Sequence, residues 1–162
     1  MITKEENESL AQVGAGTPAG ELLRRYWHPV AAACELSAAK PIRKVRILGE
    51  DLVLFQMRQA SVGPAVEYGL VAEQCPHRLA SLAFGRVDTE GIRCPYHGWK
   101  FSPSGRCLEQ PAEPADSTYK DRIRQTAYPV QMLGGLLFAY FGPSPAPLLP
   151  RWDVLAREDG KR

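Results

Sequence analysis

The 162-residue sequence has little of what marks several large classes of protein. It has no apolar run approaching the length of a membrane span, and its polar opening, MITKEENESL, lacks the apolar centre of a secretory signal. The formal net charge is only +2, so there is no basic excess suited to a nucleic-acid backbone. We therefore expect a soluble, cytoplasmic protein that binds neither nucleic acid nor membrane.

Cysteine and histidine are also scarce, with four and three residues. Two of the cysteines are closely followed by histidine, which favours metal ligands over a disulfide framework. The stretch CPHR contains Cys75 and His77, and the stretch CPYHGWKF contains Cys94 and His97. Sixteen residues separate the two halves.

The composition, with 44% hydrophobic and 23% charged residues, is typical of one globular domain. A short helix is predicted over AGELLRRYW, with Thr17 as its cap and a proline in the first turn. Leu22 and Tyr26 would share its buried face, and His28-Pro29 would end it.

The rest of the chain reads mainly as short strands separated by turn signals, which predicts an antiparallel β-sandwich or small barrel. The predicted strands lie in RKVRIL, DLVLFQMR, AVEYGLVA, GIRCPYHGWKF, RCLEQP, IRQTAYPVQM and LLFAYFG. From Pro143 the sequence PSPAPLLPRW is typical of a stiff, extended linker.

The two Cys/His pairs fall on predicted loops. Pro76 and Pro95 each follow a cysteine and stiffen the backbone, and Gly98 lets the chain turn closely after the last histidine. Two stiff loops that face each other could hold one small inorganic centre.

Two kinds of centre suit two cysteines and two histidines. Structural zinc is one, although its ligand pairs are usually two to four residues apart and Cys75 and His77 have one residue between them. The other is a [2Fe-2S] cluster of the Rieske kind, in which two thiolates hold one iron and two imidazoles hold the other. Neutral imidazoles make the cluster less negative, so its potential rises from about −400 mV to between about −150 and +300 mV.

These motifs resemble the Rieske [2Fe-2S] motif, in the form found in aromatic-ring-hydroxylating oxygenases of the phthalate-dioxygenase type. The resemblance extends through GELLRRYWHPVA, RLASLAFG and YPVQMLGGLLFAYFGP, and it covers the chain from about residue 17 to 162. It implies that the cluster is held by Cys75, His77, Cys94 and His97. It also implies a Rieske fold: an antiparallel β-sandwich with a small cluster-binding subdomain, here with one short N-terminal helix.

The resemblance divides the chain into an extension (1–26), a Rieske domain (27–142) and a proline-rich linker (143–162). Cytochrome-bc-type Rieske proteins carry an extra disulfide and a serine and tyrosine that donate hydrogen bonds to the sulfurs. This sequence has Trp99 and Phe101 at the latter places, neither with a hydroxyl. We therefore predict a potential near the low end of the Rieske range.

Oxygenases of this family also use a mononuclear iron held by two histidines and a carboxylate. Only His28 remains after the cluster motif is counted, so that site would lie in a catalytic domain outside this sequence. The resemblance implies electron transfer from an NAD(P)H-dependent reductase or ferredoxin to that iron, within a homotrimer, and oxygen-dependent attack on an aromatic substrate. The alternatives are a stand-alone Rieske-type ferredoxin and a zinc-stabilised interaction module.

The other residues that drew attention have plainer interpretations. We expect ordinary core thiols at Cys34 and Cys107 and a packed or helix-end histidine at His28. Arg78 is either a solvated surface residue or a docking residue for an electron donor, and Trp99 either covers the cluster or fills the core. The resemblance implies that Gln110-Pro111 forms a third loop that shields the cluster.

Overall fold

The computed structural model describes residues 2–57 and 66–156. Strands predominate over helices in this part of the chain, and every paired strand is antiparallel, which confirms the predicted mainly β class. The strands are β1 (Trp27–Ala32), β2 (Ile42–Ile47), β3 (Glu50–Gln56), β4 (Tyr68–Ala72), β5 (Arg86–Val87), β6 (Ile92–Arg93), β7 (Lys100–Phe101), β8 (Cys107–Glu109), β9 (Ala127–Tyr128), β10 (Val130–Leu133) and β11 (Leu136–Tyr140).

Two helices precede the sheets. Helix α1 (Lys4–Ala11) was not predicted, and a reciprocal capping box between Thr3 and Glu6 begins it. Helix α2 (Pro18–Leu23) has the expected Thr17 cap but ends four residues earlier than predicted.

The early end of α2 overturns two burial predictions. Leu22 and Tyr26 are exposed, whereas Leu23 packs against the core. The chain from Trp27 pairs with β11 instead of continuing the helix, so the pattern Trp27-His28-Pro29 belongs to an edge strand. A proline is tolerated there because an edge strand can leave one backbone position without a ladder hydrogen bond.

The strands form three sheets, in the orders β1-β11-β10, β2-β3-β4-β9 and β5-β6-β7-β8. Strand β3 is buried on both faces. Leu52 and Leu54 belong to a core shared with Leu137 of β11, whereas Val53 and Phe55 belong to a core shared with the third sheet. The second sheet is therefore the middle layer, and the third sheet carries the second Cys/His pair.

The proline-rich segment contacts the first sheet. The indole Nε1 of Trp27 donates to the carbonyl of Pro147 at 3.0 Å, and Leu149 and Leu155 pack against a cluster containing Phe138. A third short helix, α3 (Asp153–Ala156), lies in this segment. The end of the predicted linker (157–162), and the ends of the predicted strands at residues 58 and 65, lie outside the described residues.

The helices of the described chain are all short. None of them has the length and the apolar character needed to cross a bilayer.

Candidate metal centre

Two loops present the four predicted ligands, and they share one backbone frame. We name them the first Cys-His loop (75–80) and the second Cys-His loop (94–99). The same two backbone hydrogen bonds close each of them: Cys75 N to Ala80 O (2.9 Å) and Leu79 N to Cys75 O (2.9 Å) in the first, and Cys94 N to Trp99 O (2.8 Å) and Gly98 N to Cys94 O (3.2 Å) in the second. Each cysteine thus begins a tight turn that is completed five residues later.

Both turns need a left-handed residue at the same place, four positions after the cysteine. In the second loop this is Gly98, with φ of 74°, which glycine adopts at no steric cost. In the first loop it is Leu79, with φ of 58°, a conformation that costs a non-glycine residue about 1–2 kcal/mol. The surrounding hydrogen bonds must hold Leu79 in this conformation.

A carboxylate anchors the first loop. Glu73 accepts from the hydroxyl of Ser81 at 2.6 Å and pairs with Lys44 at 2.8 Å, so it joins the two sides of the loop to β2. The hydrogen bonds from Lys44 and Ser81 lower the pKa of Glu73.

A charged network anchors the second loop. Arg93 donates to the carbonyl of Gly98 at 2.9 Å and to Glu109 at 2.6 Å. Lys100, whose side chain is only 3% exposed, pairs with Glu109 and with Glu90 at 2.5 Å. Burial opposes the charge of Lys100, but these carboxylates outweigh it and raise the lysine pKa.

The two thiols lie deepest in the site. Cys75 is 1% exposed and Cys94 is 4% exposed, and both are free cysteines. Burial and contact with Cys94 raise the pKa of Cys75 to about 11, although the backbone amides of His77 and Arg78 favour its thiolate. A buried thiol pair of this kind ionises when a metal supplies the missing positive charge.

The two imidazoles form a second pair, nearer the surface. The rings of His77 and His97 are 4.6 Å apart between centroids and 65° apart in plane. The indole of Trp99 stacks on His77 at 4.4 Å and 5°. Burial, then the nearby charges of His77 and Arg78, lower the pKa of His97, which favours the neutral ring that metals bind.

One ring nitrogen among the proposed ligands lacks a hydrogen-bond partner. His77 Nδ1 is buried and has no hydrogen-bond partner in the structure, a state that costs free energy unless a ligand is present. A metal on this nitrogen would meet that requirement. Across residues 2–57 and 66–156, no three His, Cys, Asp or Glu side chains are grouped to hold a single ion. The described residues offer one thiol pair and one imidazole pair, a donor set that fits a two-iron centre.

The other singled-out residues are partly as predicted. Cys107 is buried in the core that contains Cys75, but Cys34 is exposed, so its prediction as a core thiol was wrong. Cys34 lies in a short 3-10 turn after β1, where the chain leaves the sheet. His28 Nε2 is 2.8 Å from the carbonyl of Leu23 at the end of α2, which confirms a helix-end histidine.

Sequence reasoning missed the residues that hold the loops in place. Nothing in the sequence marks Leu79 as left-handed, because leucine rarely adopts that conformation. Arg93 and Lys100 did carry a signal, since each is a charged residue on a short strand directly beside the second Cys-His loop. Charges in that position need buried partners, which the structure supplies.

The chain is similar to known proteins of one family. Residues 26–129 match the family model described as the Rieske [2Fe-2S] domain. The whole chain aligns at 49% identity with the 5,5'-dehydrodivanillate O-demethylase oxygenase subunit of Sphingobium sp., and the aligned part is 37% of that subunit's length. Over 90% of its length, the chain is also 41% identical to the phthalate 4,5-dioxygenase oxygenase subunit of Pseudomonas putida, and the aligned part is 32% of that subunit's length.

Solved structures agree as well. A chain in the complex between oxygenase and ferredoxin in carbazole 1,9a-dioxygenase has a similar structure, with a TM-score of 0.64 and 25% sequence identity. The superposed part covers 78% of the present chain and 31% of that chain. The chain spans about a third of the length of the curated relatives that it matches. The paired loops, the three-sheet fold and the family match lead to one conclusion: the chain belongs to the Rieske [2Fe-2S] domain family, in the form carried by oxygenase subunits.

Proposed function

We propose that Cys75 and Cys94 hold one iron of a Rieske [2Fe-2S] cluster and that His77 and His97 hold the other. The separation of a buried thiol pair from a more exposed imidazole pair is the observation that carries this proposal. When bound, the cluster supplies reversible one-electron chemistry at a potential raised by its neutral ligands.

The protein's own residues support that chemistry in three ways. The amides of His77 and Arg78 stabilise the Cys75 thiolate, and Trp99 covers one face of His77. The part-exposed His97 ring lies next to the exposed Tyr96, with ring centroids 3.8 Å apart, and so offers a contact surface for a redox partner. Arg78 is exposed as well, and its charge acts on His97.

At the level of the whole protein, we propose that this is the electron-transfer domain of a non-haem iron oxygenase. A ferredoxin or NAD(P)H-dependent reductase would reduce it, and a mononuclear iron in a catalytic domain would receive the electron and activate O2 on an aromatic substrate. The names of the relatives support this, since each is an oxygenase subunit and one solved neighbour is an oxygenase–ferredoxin complex. A homotrimer is the assembly we propose.

The proposed organisation keeps the predicted boundaries: an extension (1–26), a Rieske domain (27–142) and a segment that leads toward the catalytic domain (143–162). The contact between Trp27 and Pro147 suggests that the last segment leaves the domain along the first sheet. By itself the described chain would accept and release electrons without hydroxylating a substrate.

Metal and sulfide analysis of anaerobically purified protein tests the proposal. We expect two irons and two acid-labile sulfides per chain, and a visible spectrum that bleaches on reduction. The His28→Ala variant should keep the same content, because His28 bonds to Leu23 and lies outside the proposed ligand set. A colourless protein with one zinc and no sulfide would overturn the proposal in favour of a structural zinc site.

The reduction potential gives a second test. We expect it below about +100 mV, because Trp99 and Phe101 offer no hydroxyl to the sulfurs. Protein-film voltammetry would measure it. A higher value would contradict the assignment to the oxygenase type.

A further inference from the structure

The side-chain amide of Gln110 is buried without a hydrogen-bond partner, and no residue of the two Cys-His loops supplies one. Its side chain is buried, at 8% exposed, and neither Nε2 nor Oε1 has a hydrogen-bond partner. The other described residues with buried side-chain atoms that lack a partner have one such atom each, whereas Gln110 has two. Burying an unpaired amide is unfavourable, so a buried glutamine with no partner indicates a group that the protein structure itself does not contain.

The strand register places Gln110 beside the site. Strand β8 pairs with β7 so that Glu109 lies opposite Lys100. Continuing the same antiparallel register by one and two residues sets Gln110 opposite Trp99 and Pro111 opposite Gly98. The second pairing has direct support, because a Cβ on Gly98 would lie 3.1 Å from Pro111 Cγ.

This register also decides the face on which the amide lies. Residues directly opposite each other in an antiparallel pair share a face, and successive residues alternate. Glu109 therefore shares the face of Lys100, where the charged network lies, and Gln110 shares the face of Trp99. Trp99 stacks on His77, so Gln110 lies on the side of the strand pair that faces the proposed cluster.

The backbone at Gln110 is held in place. Its carbonyl accepts from the amide of Glu113 at 3.0 Å, which closes the turn that follows β8. The preceding residue, Glu109, is tied to Arg93 at 2.6 Å. A fixed backbone on both sides lets the side chain serve as a directed donor.

We propose that the Nε2–H of Gln110 donates a hydrogen bond to a sulfur of the Rieske centre and raises its potential. This inference rests on the proposed function, since it needs the cluster to be present. A donor to sulfur stabilises the reduced state, which carries more negative charge, more than the oxidised state. Trp99 and Phe101 have no hydroxyl to donate a hydrogen bond to the sulfurs, and Gln110 donates one from a third loop instead.

The test measures the potential of loaded variants. Gln110→Met keeps the length of the side chain and removes the donor, and Gln110→Leu also removes the donor without adding a charge. Each should lower the equilibrium constant for one-electron reduction at least threefold, or about 28 mV at 59 mV per tenfold change. Gln131→Met, the same change at an exposed position of β10, should leave the potential unchanged.

The outcomes separate this inference from the proposed function. Full iron and sulfide with an unchanged potential in both Gln110 variants would overturn the role of Gln110 and leave the cluster assignment intact. An equal shift in Gln131→Met would overturn it too. A wild-type protein without iron and sulfide would instead refute the proposed function.

If the Gln110 variants do not bind the cluster, pulsed EPR of the wild-type protein provides the test. Protein labelled with ¹⁵N at glutamine side-chain amides should show a nitrogen coupling in pulsed EPR of the reduced state. That coupling should persist in Gln74→Met, because Gln74 is exposed although it precedes Cys75. Absence of the coupling would overturn the inference.

Discussion

The two Cys-His loops reach one backbone frame by different means. Each cysteine amide donates to the carbonyl five residues on, and each cysteine carbonyl accepts from the amide four residues on. The first loop meets the left-handed position with Leu79 and the second with Gly98. The first is anchored by Glu73 and Ser81, and the second by the ion network around Arg93.

The histidines differ as well. His77 follows its cysteine by two positions and His97 follows by three, yet their rings meet at 4.6 Å. The frame around the cysteine is thus the shared requirement, whereas the position of the histidine adapts to the side from which each loop approaches.

Changing the histidines should have the largest effect. His77→Ala and His97→Ala should each lose the cluster, because either change removes a ligand from the same iron and little apolar contact holds the loops. His77→Cys and His97→Cys, where they load, should move the potential toward the all-thiolate value of about −400 mV. Iron content and voltammetry measure both effects. A His77→Cys protein with an unchanged potential would contradict histidine ligation.

Exchanging the left-handed residues should have unequal effects. Gly98→Ala should destabilise the protein by about 1–3 kcal/mol, since the new methyl group meets both the strained backbone and Pro111. Leu79→Gly should change stability by less than about 1 kcal/mol, because relief of strain offsets the added freedom of the unfolded chain. Urea unfolding of loaded protein measures both.

Gly135→Ala is the matched control for that exchange. Gly135 has φ of 82° with open space around its Cβ position, so the alanine variant carries the backbone strain without the contact. An effect of Gly98→Ala no larger than that of Gly135→Ala would show that the contact with Pro111 contributes nothing.

The two anchoring carboxylates should have the smallest effect, and it should depend on pH. The pKa values of Glu73 and Glu109 are both lowered by their hydrogen-bonded partners. A lowered folded-state pKa stabilises the protein above the unfolded value of about 4.3, and this contribution is lost as pH falls through the folded value. Glu73→Gln and Glu109→Gln should each cost about 0.5–1 kcal/mol at pH 7.

Unfolding free energies at several pH values check that dependence. The difference between each variant and the wild type should shrink toward zero below about pH 4. A constant difference across the acid range would contradict the ion-pair explanation and indicate a packing role for the carboxylate carbons.

Much of the fold could be predicted from the sequence, and so could the two loops that carry Cys75, His77, Cys94 and His97. The Cys-Pro spacing and its histidines predicted two stiff loops, and the runs of β-branched and aromatic residues in DLVLFQMR and LLFAYFG predicted strands that the structure confirms as β3 and β11. These signals are local, because they depend on residue type and spacing within a few positions.

What could not be predicted depends on contacts across the chain. Trp27 was predicted as the last residue of a helix, and only the pairing of Trp27–Ala32 with β11, more than a hundred residues away in the sequence, shows that it begins a strand. The left-handed Leu79 and the unpartnered amide of Gln110 likewise arise from tertiary packing, which overrides the local preference of each residue. The ligand roles remain a proposal that joins the local motif to that packing.

Pulsed EPR of the reduced protein labelled with ¹⁵N-histidine tests the division of ligands between the two irons most directly. We expect two strongly coupled histidine nitrogens, unchanged in His28→Ala and reduced to one in any His77→Cys protein that retains a cluster. A spectrum with no strongly coupled nitrogen would contradict it.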